Sequence, residues 1–197
     1  MSSLCKSLQN TILTYSGEVE CEEPVITVEP KLGLNRVKKD GKPAKTLFRR
    51  LSTNGQTSIV HCTPVTGRTH QIRVHLQYLG HPIVNDPIYA NTRVFGTSLG
   101  KGGMGDDKTV VENLDRIGKT ETSDAIAWRD KIQNHLEAKD LVRAEKMNGE
   151  FCVLCQTPLY YDPSQLELGI YLHCFRTAAS DGSWSYQSKI PDWASAS

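Results

Sequence analysis

The stretch "TLFRRLSTNGQTSIVHCTPVTGRTHQIRVHLQYLGHP" (46–82) decides the fold of this chain. Two runs of strand-forming residues flank Asn54-Gly55, the dipeptide favoured in two-residue type I′ hairpin turns, so a β-hairpin is expected. On its return strand the period of two puts Ser58, Val60 and Cys62 on one face, and Thr57, Ile59 and His61 on the other. The hairpin then runs into a helical pattern. Thr69 is a suitable N-cap, Ile72, Leu76 and Leu79 fall on one face at i, i+4 and i+7, and Gly80 stands where a left-handed C′ residue belongs. The spacing predicts a helix of about ten residues. Arg73 lies one residue past Ile72, about 100° around that helix and close to its N-terminus.

Working outward, "VITV" (25–28) is a short β-branched run, and "KKDGKP" (38–43) is a charged turn in which Asp40-Gly41 can take positive φ. Beyond residue 90 the character changes. "FGTSLGKGGMGDDK" (95–108) holds five glycines and reads as flexible loop. Ser123 opens a polar, charge-dense helix with a narrow stripe of Ala125, Trp128, Ile132 and Leu136. Residues 91–151 therefore read as a flexible loop and surface helix inserted into the fold. Residues 152–197 contain "CVLC", a strand-like "LELGIYLHCFRT", a turn at Asp181-Gly182 and the aromatic strand "WSYQS".

Composition narrows the class. The 197 residues contain 38% hydrophobic and 7% aromatic residues, enough for a core but not one built from every segment. No run approaches the roughly 18 apolar residues of a membrane span, and no secretory signal opens the chain. An intracellular protein without a disulfide framework is expected from its six scattered cysteines. The formal charge of +1 hides an asymmetry: residues 1–90 carry 11 basic and 7 acidic side chains, and Lys31–Arg50 alone holds eight basic residues against Asp40. Such a stripe suits a polyanion such as RNA, with Lys38 and Lys39 as candidate contacts, and equally suits a solvated surface. Cys152 and Cys155, with His173-Cys174, offer four zinc-type side chains. Adjacent strand residues point to opposite faces, however, so thiols without metal are the favoured reading.

Residues 62–90, "CTPVTGRTHQIRVHLQYLGHPIVNDPIYA", resemble the signature of the RNA pseudouridine synthases of the ribosomal large-subunit type. The likeness rests on Gly67 to Arg73, His75, Gly80 to Ile83, Asp86 and Tyr89, and extends over about 17–90 and 166–194. It implies an α+β fold: the C-terminal half of a catalytic domain, with a mixed, mainly antiparallel sheet, a flanking helix and a helical insertion. The core would be 17–90, with 152–197 as its last strands and tail. It also implies isomerisation of uridine in RNA, tRNA or rRNA, without cofactor or metal, through an aspartate that engages an everted nucleotide. On the matching motif the basic residue that pairs with this aspartate is Arg73, whose planar fork can hold a carboxylate in one orientation. Arg68 and His70, at the opening of the helix, are candidate RNA contacts.

The family's aspartate lies in an Arg-Leu-Asp motif upstream of the signature, and these 197 residues contain no such triplet. "NLDR" (113–116) is on the wrong side of the motif, Asp86 matches a different family position, and Tyr15 lacks the neighbours of the family's aromatic residue. The expectation is a truncated chain, inactive by itself, with RNA as partner, no membrane and no obligate protein partner. A non-catalytic RNA-binding module or pseudo-enzyme is the alternative, and a zinc-dependent interaction module the second.

Overall fold

Strand-forming runs from both ends of the chain meet in one sheet. The computed structural model describes residues 1–8, 17–120 and 169–194. Strands β1 (Ser2–Leu8), β2 (Glu18–Cys21), β3 (Val25–Glu29), β4 (Leu34–Val37), β5 (Thr46–Thr53) and β6 (Thr57–Pro64) precede helix α1 (Gln71–Leu79). The short α2 (Thr92–Phe95), α3 (Asp107–Thr120), β7 (Leu172–Ala178) and β8 (Ser185–Gln187) follow. Six strands form a sheet in the order β2-β5-β6-β1-β7-β8, and β3-β4 form a separate hairpin. The fold is α+β as expected, and every strand pairing among the described residues is antiparallel.

The decisive hairpin forms from β5 and β6, but its turn is not type I′. Type I′ needs positive φ at both central residues. Gly55 has φ +88, whereas Asn54 is not in the left-handed region. Residues 54–56 form the connection, and the Asn54 Oδ1 accepts hydrogen bonds from the backbone N–H of Gln56 and Thr57. The register shifts between Arg50 and Ser52, so Leu51 is extruded in a bulge and stays exposed. At the charged turn Gly41 has no positive φ. A Cβ there would sit 2.8 Å from the backbone carbon of Val25, so the glycine serves close approach to β3 rather than a left-handed bend.

Helix α1 is nine residues long, and Thr69 does not cap it. The N-cap is His70, in the left-handed region at φ 57, ψ 16. His70 makes no side-chain cap bond, and the Gln71 Oε1 instead reaches back to the preceding loop, accepting from the Arg68 backbone N–H and the Thr66 hydroxyl. Gly80 closes the helix in the left-handed conformation, as its position suggested. One apolar stripe understates how deeply α1 is buried. Ile72 and Leu76 pack with Cys5, Phe48, Val60, Cys62 and Ile83, while Val74 joins a second cluster with Val25, Leu34, Tyr89, Val94 and Phe95. A helix wedged between two cores must also bury polar side chains, and these are satisfied. The Gln71 amide donates to the Lys45 carbonyl and Thr46 hydroxyl, and His75 spans the Thr46 hydroxyl (2.9 Å) and the Glu23 carbonyl (2.8 Å).

Burial holds the His75 ring below its ordinary histidine pKa, and it does the same at His70 and His61, where Arg73 and Arg49 add to the effect. The unfolded chain takes up these protons near pH ~6.5, the native state only at lower pH. This contribution to stability is therefore complete above pH ~6.5 and is lost as pH falls through the folded values. Thermal unfolding followed from pH 8 to pH 5 is expected to show a falling Tm over the lower half of that range; a flat profile would contradict the buried neutral histidines.

The glycine-rich stretch is not a free loop. Val94, Phe95, Leu99 and Val110 are buried, and Arg36 ties the intervening backbone down. This arginine, 3% exposed, donates to the carbonyls of Gly103 (2.9 Å), Met104 (2.6 Å) and Gly105 (2.8 Å) and to the Asp107 carboxylate (2.6 Å). Glycines at 100, 102, 103 and 105 adopt positive φ, which lets consecutive carbonyls turn toward one guanidinium. Arg36→Lys keeps the charge but loses the planar fork, so a loss of about 2 kcal/mol is expected. Hydrogen exchange should rise over 99–109 more than in β5 or β6, and unchanged protection there would count against the tether. The helix expected from Ser123 lies outside the described residues.

Candidate active site

Arg73 projects from the first turn of α1 toward the segment that follows the helix. Its Nε donates to the Asp86 Oδ2 (2.7 Å) and its Nη2 to Oδ1 (2.8 Å), a two-toothed charge-assisted pair. The Asp86 side chain is fully enclosed and Arg73 is 13% exposed. Asp86 is itself fixed, because Oδ1 also accepts the backbone N–H groups of Ile88 and Tyr89 (3.0 Å each). The guanidinium carbon lies 4.8 Å from the centre of the buried Tyr89 ring. Burial alone would lower the arginine pKa, but Asp86 outweighs it and the group is held more firmly charged than usual. Two neighbours, Asp86 and the Tyr89 ring, therefore restrict Arg73, while Nη1 has no hydrogen-bond partner among the described residues.

Within this chain the carboxylate paired with Arg73 is Asp86, thirteen residues further along. Sequence reading had set Asp86 aside as a different motif position. The helix and the turn at 86–89 meet only after folding, so spacing alone carried no sign of the pair.

His70 belongs to the same cluster. Its Nδ1 is 3.1 Å from the Tyr89 hydroxyl and 3.4 Å from the Asn35 Nδ2, and its ring meets Tyr89 edge-on. Tyr89 accepts from the Asn35 backbone N–H, and its phenol pKa is pushed up to about 12, chiefly by burial. Asn35, which no sequence signal marked, joins β4 to the helix start.

The other candidates lie apart. Arg68 is exposed and donates through Nε to the Pro43 carbonyl (3.0 Å). Lys39 is exposed at the edge of an open groove of about 390 Å³ shared with Glu22, Pro43, Lys45 and Val65. Lys38 instead pairs with Asp107 at 2.5 Å. The basic stripe is partly cancelled: Arg36 is buried, Lys38 meets Asp107, and Lys45 meets Glu20 (2.6 Å) and Glu22 (3.2 Å). Charge counted along a sequence cannot register partners supplied by other strands.

For the zinc reading, Cys152 and Cys155 lie outside the described residues. His173 donates or accepts at 2.7 Å with the Ser188 hydroxyl, and Cys174 is exposed. Among the described residues no group of three or more metal-type side chains converges. Among them, too, no helix is long and apolar enough to cross a membrane.

Comparison with known proteins adds an independent line. The model of the RNA pseudouridylate synthase family matches residues 12–78, ending within α1. The chain is 45% identical over 188 residues to the mitochondrial tRNA pseudouridine(32) synthase of Saccharomyces cerevisiae, covering 90% of this chain and 38% of that protein. It is 37% identical over 221 residues to pseudouridylate synthase RPUSD2 of Mus musculus and 35% over 225 residues to that of Homo sapiens, covering 90% of this chain in each case. It spans about two-fifths of the length of these relatives (38%, 39% and 41%). A matched family model, relatives over nine-tenths of its length and a signature built around Arg73 agree, and the chain belongs to the RNA pseudouridylate synthase family.

Proposed function

We propose that this chain carries the arginine side of an active site that converts uridine to pseudouridine in RNA, with tRNA as the substrate class. The observation that supports this most directly is the immobilised guanidinium of Arg73, held by Asp86 along one edge with Nη1 left over. In the reaction the N1–C1′ bond of uridine breaks, the base turns, and a C5–C1′ bond forms. The proton leaving C5 is balanced by the one gained at N1, so neither oxidant nor metal enters the balance. The nucleotide must leave its stack for this to happen. Arg73 would orient and keep ionised the aspartate that engages it. Names of the yeast relatives, tRNA pseudouridine(32) and tRNA pseudouridine(31) synthases, motivate the choice of tRNA. A tRNA substrate implies action inside the cell, and the first yeast relative makes the mitochondrion the compartment to examine first.

A non-catalytic RNA-binding module draws less support, because three of the eight basic residues expected to form its surface are engaged with acids. The test is a chimera in which this chain replaces the matching segment of the yeast tRNA pseudouridine(32) synthase. A folded chimera should form pseudouridine in tRNA, and a folded chimera that forms none would sink the reading. The 197-residue chain alone is expected to form none, since it contains no Arg-Leu-Asp triplet. Turnover by the pure chain would refute that part.

A further inference from the structure

The hydrogen bonds around His70 favour one tautomer. Asn35 Nδ2 donates to the Gly33 carbonyl (3.1 Å), and Asn35 Oδ1 takes the Thr27 hydroxyl (2.7 Å), which fixes the amide's orientation. The second N–H of that amide faces His70 Nδ1 at 3.4 Å. The Tyr89 oxygen already accepts the Asn35 backbone N–H, so its own proton is available to the same nitrogen, 3.1 Å away. The Asn35 amide can only donate to Nδ1 and the Tyr89 hydroxyl can donate to it as well, so an accepting Nδ1 suits both neighbours and places the ring proton on Nε2. Burial and the nearby positive charge of Arg73 disfavour a second proton, outweighing the opposite pull of Asp86 and the Gly33 carbonyl. The ring is thus a neutral donor, half-buried beside Arg73, and its Nε2 makes no hydrogen bond to another side chain among the described residues.

The backbone conformation sharpens the point. His70 is one of three non-glycine residues with positive φ among those described. That conformation costs on the order of 1 kcal/mol and is easier for asparagine or glycine. Histidine is held there by Asn35 and Tyr89, with Gly33 leaving room for its Cε1 at van der Waals distance from where a Cβ would stand.

We propose that His70 binds the RNA substrate through its Nε2–H, as an uncharged donor to an RNA oxygen (a phosphate oxygen or a uracil carbonyl) next to Arg73. This rests on the RNA-modifying function proposed above, and it assigns an atom, a tautomer and a positioning network of Asn35 and Tyr89. Long-range proton–nitrogen NMR of the full chain labelled with 15N-histidine should find His70 neutral at pH 7 with its proton on Nε2; a proton on Nδ1 overturns the proposal. Addition of a single-stranded uridine-containing RNA oligonucleotide should shift the Nε2 resonance, and no shift overturns it. Inorganic phosphate and uridine, added separately, identify which oxygen is taken.

The variants separate contact from folding. His70→Asn suits the left-handed backbone but is too short to reach, and should raise the Kd for the oligonucleotide five- to twentyfold. His70→Gln places an amide N–H where Nε2 stands, and should stay within about threefold of the parent. Equal affinity of a folded His70→Asn variant and the parent overturns the contact while leaving the proposed function intact. An inactive chimera whose His70 still responds to RNA would instead tell against the catalytic reading alone.

Discussion

Arg73→Ala in the active chimera is expected to lower kcat/KM for pseudouridine formation by about 10²–10³-fold, the usual effect of deleting one preorganised charged donor from an active site. The loss should appear mainly in kcat, because the guanidinium is proposed to act on the catalytic aspartate rather than to anchor the RNA. Arg73→Lys should recover only part of it. An ammonium keeps the charge but cannot hold Asp86 along one edge while presenting Nη1 along another. Single-turnover assays with tRNA measure both. If the alanine variant retained more than a tenth of the parent rate, the arginine would have to be reassigned to a structural role.

Asp86→Asn should cost about 3 kcal/mol of stability. Removing one partner of a buried pair leaves the other charge without compensation, which typically costs 3–5 kcal/mol. The lower end applies because Arg73 keeps 13% exposure and some access to water. The amide would also turn an N–H toward the guanidinium, and one of its atoms must still accept from Ile88 and Tyr89. Urea unfolding of the single variants and of Arg73→Met/Asp86→Asn closes a double-mutant cycle. The double variant is expected to be more stable than Asp86→Asn alone, since neither charge is then left stranded. Additive losses would mean that the two side chains do not act as a pair. Activity of Asp86→Asn should fall with that of Arg73→Lys, because a guanidinium released from Asp86 loses its fixed orientation.

The strongest sequence features were local ones. Alternation around Asn54-Gly55 and the 3.6-residue spacing of Ile72 and Leu76 locate the hairpin and α1, because each depends on neighbours within a few residues. Details turning on a single dihedral or cap were less legible. Asn54 avoids positive φ, and Thr69 leaves the helix uncapped while Gln71 holds the loop before it, because side-chain acceptors a few residues away offered alternatives. The glycine-rich stretch misled for a different reason. Glycines that permit a loop to move also permit its carbonyls to gather around Arg36, and only the arrival of β4 beside that loop decides which occurs.

For the site, the sequence by itself determined the lineage and singled out Arg73, since a contiguous signature needs no folding to be read. Tertiary structure decided what Arg73 is joined to. Asp86, Tyr89, His70 and Asn35 come from a turn, a helix cap and a strand, spread over more than fifty residues. It also decided that Lys38 and Lys45 spend their charge on Asp107, Glu20 and Glu22. Electrostatic and hydrogen-bond energies depend on distances through space, and those distances exist only once the chain has folded.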